Sequence, residues 1–208
     1  MSNIQPTDRD TMPHSATSNI ASAGLTANEG DKSCRNIPGS ERDALREAIA
    51  MLDAADRQQH PIEMSLALAE VGRCYRKLGS LAEARWYLQQ SLRWARSLGG
   101  VDLTVDILCD LAEVAAWLAA SADEDDPRAV HAARERARDH AYEASHLAGR
   151  AADPEWEVTV LLRVSDVLDD CGDHDDAIAM QCRALQLIAA ASARHGLPVQ
   201  SAPPAATM

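Results

Sequence analysis

The sequence predicts an all-α protein whose helices come in repeated pairs. Apolar positions follow a helical period between regularly spaced start and stop residues, and no run alternates long enough for a strand. Hydrophobic residues make up 46% of the chain but aromatic residues only 3%, with no Phe, so the core consists of Leu, Val, Ile and Ala. Such side chains suit closely packed helices better than sheets. A pattern at Tyr75–Leu92 also returns at Leu168–Leu185.

Helices in the first half of the chain begin at polar capping residues or proline and end at glycine. Ser40 with Asp43, and Ser80 with Glu83, resemble capping boxes, and Pro61 suits the first position of a helix. The predicted helices are about 40–58, 61–78 and 81–98, with Gly79 and the pair Gly99-Gly100 as stops.

The second half of the chain uses the same signals. Asp126-Pro127 and Asp153-Pro154 each combine an N-cap residue with a proline at the first helical position, and Asp173 predicts the N-cap of the last helix. The predicted helices are about 101–120, 127–148, 154–171 and 174–195, with Gly149 and Gly172 as stops. The total is therefore about seven helices.

Two polar segments flank the predicted helical region at 39–195. Residues 1–38 and 196–208 are rich in Ser, Thr, Asn, Pro or Gly and lack apolar periodicity, which predicts disordered tails. An amino-terminal tail of this kind is also compatible with an export signal of a secreted bacterial effector, although Asp8 and Asp10 count against it.

Charge and cysteine content exclude several classes of protein. A formal net charge of -12 and a pI of about 4.9 argue against a partner that is nucleic acid or an anionic membrane. Five cysteines without a CxxC pair predict reduced, buried thiols and not a disulfide framework. No stretch approaches the roughly 20 apolar residues that span a bilayer, and no secretory signal is evident. The sequence therefore predicts a cytoplasmic protein.

The two copies of the repeated pattern align residue by residue with an offset of 93 residues, the separation of Gly79 and Gly172. Aligning Gly79 with Gly172 also places Leu68 on Leu161, Val71 on Val164, Tyr75 on Leu168 and Ala84 on Ala177. Both glycines end a first helix, where a residue that tolerates positive φ closes the turn. Both alanines lie where the second helix of a pair is expected to cross the first, so a larger side chain would separate the helices.

This pattern resembles the tetratricopeptide repeat, a helix-turn-helix unit of about 34 residues. In residues 65–98 the positions of the family's signature are occupied by Leu68, Val71, Gly72, Tyr75, Gly79, Ala84, Leu88 and Leu92. The third unit departs from it, with Ser165 for the small glycine and Gln181 for the large apolar residue, and Ser91 replaces an alanine in the first. The resemblance implies a bacterial protein whose fold is a right-handed α-solenoid of stacked antiparallel helix pairs. Its units are about 61–99, 101–150 and 153–195, after a lone helix at 40–58.

The resemblance also implies a function, namely binding a peptide or helix of a partner protein in a concave groove formed by the first helices. The corresponding positions here are Ala69, Arg73, Arg76, Lys77, Asp106, Cys109, Glu113, Trp117, Leu162, Asp166, Asp169 and Asp170. A non-catalytic adaptor is the expected function. The alternatives are a chaperone for a secreted substrate and a regulatory sensor protein.

Three cations, Arg73, Arg76 and Lys77, share one helix face in this acidic chain. One hypothesis is a polarised groove in which they bind a carboxylate of the partner. The alternative is that Arg73 and Arg76 pair with Asp110 or Glu113 of the next unit and hold the stack together. The sequence leaves both open.

No motif in the chain predicts catalysis, a metal or a cofactor. There is no Gly-rich phosphate loop, GxSxG or HExxH. The segment "DDCGDHDD" at 169–176 lacks the glutamate that an EF-hand loop needs at its twelfth position, so its acids are expected to favour a helix N-terminus.

The last predicted helix has no polar helix after it to cover its outer side. Ile178, Cys182, Leu185 and Ile188 are therefore expected to form an exposed stripe. Such a stripe predicts a homo-oligomer that forms through the C-terminal helix.

Overall fold

The structure, a computed structural model, describes residues 39–122 and 126–194. It is all-α, as predicted: these residues form seven helices and no strand. The helices are α1 (Gly39–Gln58), α2 (Pro61–Lys77), α3 (Leu81–Leu98), α4 (Val101–Ser121), α5 (Pro127–Ala148), α6 (Pro154–Asp170) and α7 (His174–Arg194). The predicted tails at 1–38 and 196–208 lie outside the described residues.

Of the five predicted N-caps, those at Asp126 and Asp153 form through side-chain hydrogen bonds. The carboxylate of Asp126 accepts a hydrogen bond from the amide of Ala129, and that of Asp153 accepts from the amides of Glu155 and Trp156. The predicted capping boxes are wrong. Ser40 lies inside α1, and Ser80, although it occupies the N-cap position of α3, makes no side-chain capping bond.

The equivalence of Gly79 and Gly172 is confirmed by their backbone conformation. Both residues follow a first helix with positive φ, 77° and 86° respectively, a conformation that side chains with a Cβ atom rarely adopt. Ala84 and Ala177, the aligned alanines, are both buried. The same local chemistry therefore closes the α2–α3 turn and the α6–α7 turn.

Gly72 marks the closest approach of α2 to α3. A Cβ atom placed on Gly72 would lie 2.7 Å from Cγ of Leu88, a distance at which one of the two groups must move. Leu88 is fully buried, so it has little room to do so. The aligned pair in α6 and α7 is Ser165, which is buried, and Gln181, which is exposed. The close approach at Gly72 is therefore not repeated with the same residues in the pair α6 and α7.

Each helix packs on the next one in the chain, and the first helices also contact each other. α4 contacts both α2 and α6, in addition to its sequence neighbours α3 and α5. Long side chains link the second helices, through Arg96 of α3 with Glu143 of α5 and Tyr142 of α5 with Asp176 of α7. The first helices form one layer and the second helices another, which places α4 at the centre of the first layer.

The core consists of small aliphatic side chains, as the composition predicts. α4 is the most buried helix, and Leu108, Leu111 and Val114 are among its buried residues.

Ser91, the serine that replaces an alanine of the repeat signature, has a hydrogen-bond partner. The hydroxyl of Ser91 donates to the carbonyl of Ser65 at 2.6 Å, and the hydroxyl of Ser65 donates to the carbonyl of Ser91 at 3.0 Å. This reciprocal pair satisfies two buried hydroxyls between α2 and α3.

Membrane insertion finds no support in the described helices. Not one of them combines the length and the apolar character that crossing a bilayer requires.

The lowered pKa of His140 on α5 is expected to make the stability of the folded protein depend on pH. Burial lowers its pKa below the usual 6.5, and Arg96 and Arg136 act in the same direction against Glu143 and Asp139. Because the unfolded chain then binds the proton more tightly, protonation favours unfolding. The contribution of His140 to stability is complete above pH 6.5 and is lost as the pH falls through the lower folded-state value.

We therefore expect His140→Gln to reduce the loss of thermal stability between neutral and mildly acidic pH. The melting temperature across a pH series is the measurement, and His146→Gln, an exposed position of the same helix, is the control. An unchanged slope in the His140 variant would contradict the assignment.

Candidate partner-binding surface

The exposed sides of α2, α4 and α6 form one continuous surface, here called the first-helix face. It carries the nine residues that the sequence predicts for a partner site, namely Arg73, Arg76, Lys77, Asp106, Glu113, Trp117, Asp166, Asp169 and Asp170. Ala69 and Cys109, expected on the same surface, are buried instead. Both point into the core between helices, so their assignment to the groove is wrong. Burial raises the pKa of Cys109 to about 11, which keeps its thiol protonated.

An ion-pair network occupies the middle of the first-helix face. Nε of Arg73 lies 2.7 Å from Oδ2 of Asp110, and Nη1 of Arg76 contacts both Asp110 and Glu113. Nη2 of Arg163 reaches Oδ1 of Asp110 at 2.9 Å and Oε1 of Glu113 at 2.6 Å. The side chain of Asp110 is only 3% exposed, so it is the buried centre of the network. It joins α2, α4 and α6.

Arg163 is a member of this network that the sequence analysis did not predict. Its two acidic partners are 50 and 53 residues away in the chain, on another helix, so no local spacing links them. The available signal was its isolation, since Arg163 is the one basic residue of α6. A lone cation on an acidic helix indicates a carboxylate partner on a neighbouring element.

The contacts of Arg73 and Arg76 match the second of the two alternatives that the sequence leaves open. Both arginines pair with acids of α4 and link neighbouring first helices. With Glu70, which contacts Arg73 at 3.4 Å, the network has three guanidinium groups and three carboxylates, so its formal charge is zero. A carboxylate of a partner would have to compete with these internal acids.

Burial and charge act in opposite directions on the two arginines of α2. Burial works against the charge on Arg73, but Asp110 and Glu70 outweigh it and raise the pKa. Burial lowers the pKa of Arg76, and the nearby Arg163 and Arg73 oppose the effect of Asp110. The pKa of Arg73 is also raised by its side-chain hydrogen bonds to Asp110 and Glu70, whereas two neighbouring guanidinium groups repel the charge on Arg76.

Apolar side chains lie exposed beside this neutral network. Trp117 of α4 is exposed, and the guanidinium carbon of Arg76 lies 5.7 Å from the centre of its ring. That cation–π contact positions one face of the indole. Leu162 of α6 and Leu66 of α2 are also exposed on the same layer of helices. Exposed aromatic and aliphatic groups next to fixed charges are typical of binding surfaces.

The charges that remain outside the network are mostly negative. Within the described residues, Asp102, Asp106, Asp166 and Asp170 have no ion-pair partner, whereas Asp169 contacts His174 with 2.5 Å between Oδ1 and Nδ1. Burial raises the pKa of Asp106, with Asp110 and Asp102 adding to that effect and Arg163 and Arg73 opposing it. Lys77 of α2 is also exposed. The free charge of the first-helix face is therefore acidic.

Two acids of "DDCGDHDD", Asp169 and Asp173, have structural contacts. Asp173 accepts two hydrogen bonds from the guanidinium of Arg138 on α5, and Asp169 contacts His174. Among the described residues, no group of three His, Cys, Asp or Glu side chains has the geometry to hold a metal ion.

Comparison with known proteins identifies no relative by sequence. No family model matches the chain, and no curated protein matches it. Two solved structures show a weak likeness. BtubC (BKLC) from P. vanneervenii, a crystal structure, has 18% identity and a TM-score of 0.35 over 82% of each chain. The DHF58 filament has 21% identity and a TM-score of 0.36 over 76% of this chain and 80% of that one. Likenesses of this size do not bear on fold or function.

Proposed function

We propose that this chain is a non-catalytic protein–protein interaction module of tetratricopeptide-repeat type, which binds a peptide or helix of a partner on the first-helix face. The single observation that carries the proposal is the exposure of Trp117 and Leu162 beside acids without ion pairs, Asp166 and Asp170, on one layer of helices. Apolar groups supply affinity and the fixed charges supply selectivity.

The charges favour a partner segment that combines basic residues with an apolar anchor. Arg73, Arg76 and Arg163 are neutralised by Asp110, Glu113 and Glu70, so they offer little attraction to a carboxylate. The remaining acids attract Lys or Arg, and the anchor would pack near Trp117. This revises the hypothesis of a carboxylate-binding groove, because the cations on which it depends already have partners.

A charge-reversal experiment tests the proposal. Asp166→Lys with Asp170→Lys changes two exposed acids of α6, and Asp53→Lys with Asp56→Lys makes the same change in net charge on the exposed side of α1. Lys near a helix C-terminus is favourable, so neither pair is expected to impair folding. Proteins that co-purify with each tagged form are quantified by mass spectrometry. The dissociation constant of the partner segment that binds is then measured for each form by fluorescence anisotropy.

We expect the α6 variant to bind the partner segment at least about tenfold more weakly than the unchanged protein, while the α1 variant binds it normally. Binding to the unchanged protein is also expected to weaken with rising salt, because exposed charges are screened. A partner that binds all three forms equally would contradict the proposal and place the binding surface elsewhere.

A further inference from the structure

The outer side of α7 repeats a surface that is covered elsewhere in this chain. The alignment of Gly79 with Gly172 makes Leu92 and Ala95 of α3 equivalent to Leu185 and Ile188 of α7. In α3, which has α4 packed beside it, these side chains are 6% and 0% exposed. In α7 the equivalent residues are 64% and 46% exposed. Thus α7 keeps apolar residues at positions that are buried where a further helix follows.

These residues belong to a stripe that is free of charge. Ile178, Cys182, Leu185 and Ala189 recur at steps of four, three and four residues, the spacing of a helix that pairs with another helix. Between residues 178 and 192 the one charged residue is Arg183. Its guanidinium contacts Glu157 of α6 at 2.5 Å, away from the stripe. The stripe is therefore apolar over about three helical turns.

The charge of the whole chain makes this stripe suitable for contact between identical molecules. Each copy carries a formal net charge of -12, so two copies repel wherever acidic surfaces meet. A face without charges avoids that repulsion. Asp175 and Asp176 lie in the first turn of α7, and an antiparallel arrangement keeps the two acidic turns apart, whereas a parallel one would bring them together.

We propose that α7 pairs with α7 of a second copy, antiparallel and about a two-fold axis near Leu185. A two-fold contact uses the same surface on both molecules, and the stripe of Ile178, Cys182, Leu185, Ile188 and Ala189 is self-complementary in that arrangement. The second α7 takes the place that α4 takes on α3. This surface is separate from the first-helix face, so the pairing does not depend on the proposed partner binding.

Light scattering coupled to size-exclusion chromatography, over a series of concentrations, tests the pairing. We expect the unchanged protein to have twice the mass of one chain, and Leu185→Asp to raise the dissociation constant of the dimer more than about 30-fold. Ile49→Asp, an exposed apolar position on α1, is the matched control and is expected to remain dimeric. Circular dichroism shows whether each variant is folded.

Cysteine cross-linking locates the contact. Cys182 is exposed, whereas Cys74, Cys109 and Cys171 are buried, and Cys34 is changed to Ser because it lies outside the described residues. A short bismaleimide is expected to join two chains through Cys182, and to fail after Leu185→Asp. A single-chain mass at every concentration, or a dimer that Leu185→Asp leaves intact, would overturn the proposal. If a different protein covers the stripe instead, the purified chain would have the mass of a single chain at every concentration.

Discussion

Replacing Asp110 by Asn is expected to destabilise the protein by about 3 kcal/mol, which corresponds to a fall in melting temperature of about 10 °C. Asp110 is buried and accepts hydrogen bonds from Arg73 and Arg163, with Arg76 at 3.4 Å. The amide keeps the volume of the carboxylate but turns an NH₂ group toward guanidinium donors. Three cations would then share the two remaining acids. Thermal and denaturant unfolding measure the effect.

Asp106→Asn is the matched control for this experiment. Asp106 lies one turn earlier on α4, is half-buried, and has no ion-pair partner among the described residues. Because its pKa is raised by burial, the folded state disfavours its charged form at neutral pH. We expect the control to be neutral or slightly stabilising. Equal losses in the two variants would show that the network contributes nothing specific.

Gly72→Val is expected to cost about 3 kcal/mol, because it overfills the crossing of α2 and α3. The added Cβ alone would lie 2.7 Å from Cγ of Leu88 and 3.2 Å from the carbonyl oxygen of Ala84. Neither the buried Leu88 nor a helix backbone can move far, so the two helices must separate. The gain in helix propensity over glycine is smaller, less than about 1 kcal/mol.

Gly100→Val is the matched control for the helix crossing. At Gly100 the nearest group to an added Cβ is the Cβ of Leu103 at 3.9 Å, and the φ of -73° is accessible to valine. We expect a change below about 1 kcal/mol there. The loss of stability in each variant is measured from its denaturant midpoint, compared with that of the unchanged protein. If Gly72→Val unfolds at the same denaturant concentration as Gly100→Val, the close approach at Gly72 has no energetic weight.

Helix boundaries were predictable because the signals that set them are local. Pro61, Pro127 and Pro154 each begin a helix, and Gly79 and Gly172 close their turns with positive φ. A proline ring and the absence of a Cβ atom act on the backbone of the residue itself, so the chain nearby decides the outcome. For the same reason, the alignment of the two glycines predicted that α6–α7 is the equivalent of α2–α3.

The contacts of the first-helix face were only partly predictable, since they join distant parts of the chain. Asp110 and Glu113 were among the possible partners of Arg73 and Arg76, but nothing local indicated Arg163 of α6. Cys109 was placed on the surface because its position in the repeat faces a groove, whereas the structure buries it between helices. Side-chain burial depends on the angle between neighbouring helices, which a pattern within one helix does not specify.

The position of Asp110 has a consequence for how this chain can evolve. Repeat proteins readily gain or lose units, since each unit touches only its neighbours. Here one aspartate of α4 pairs with Arg73 and Arg76 of α2 and with Arg163 of α6. Duplication of a unit between α4 and α6 would carry Arg163 out of reach and leave the remaining charges mismatched. We therefore expect natural lengthening of this protein to occur at its ends and not by internal insertion.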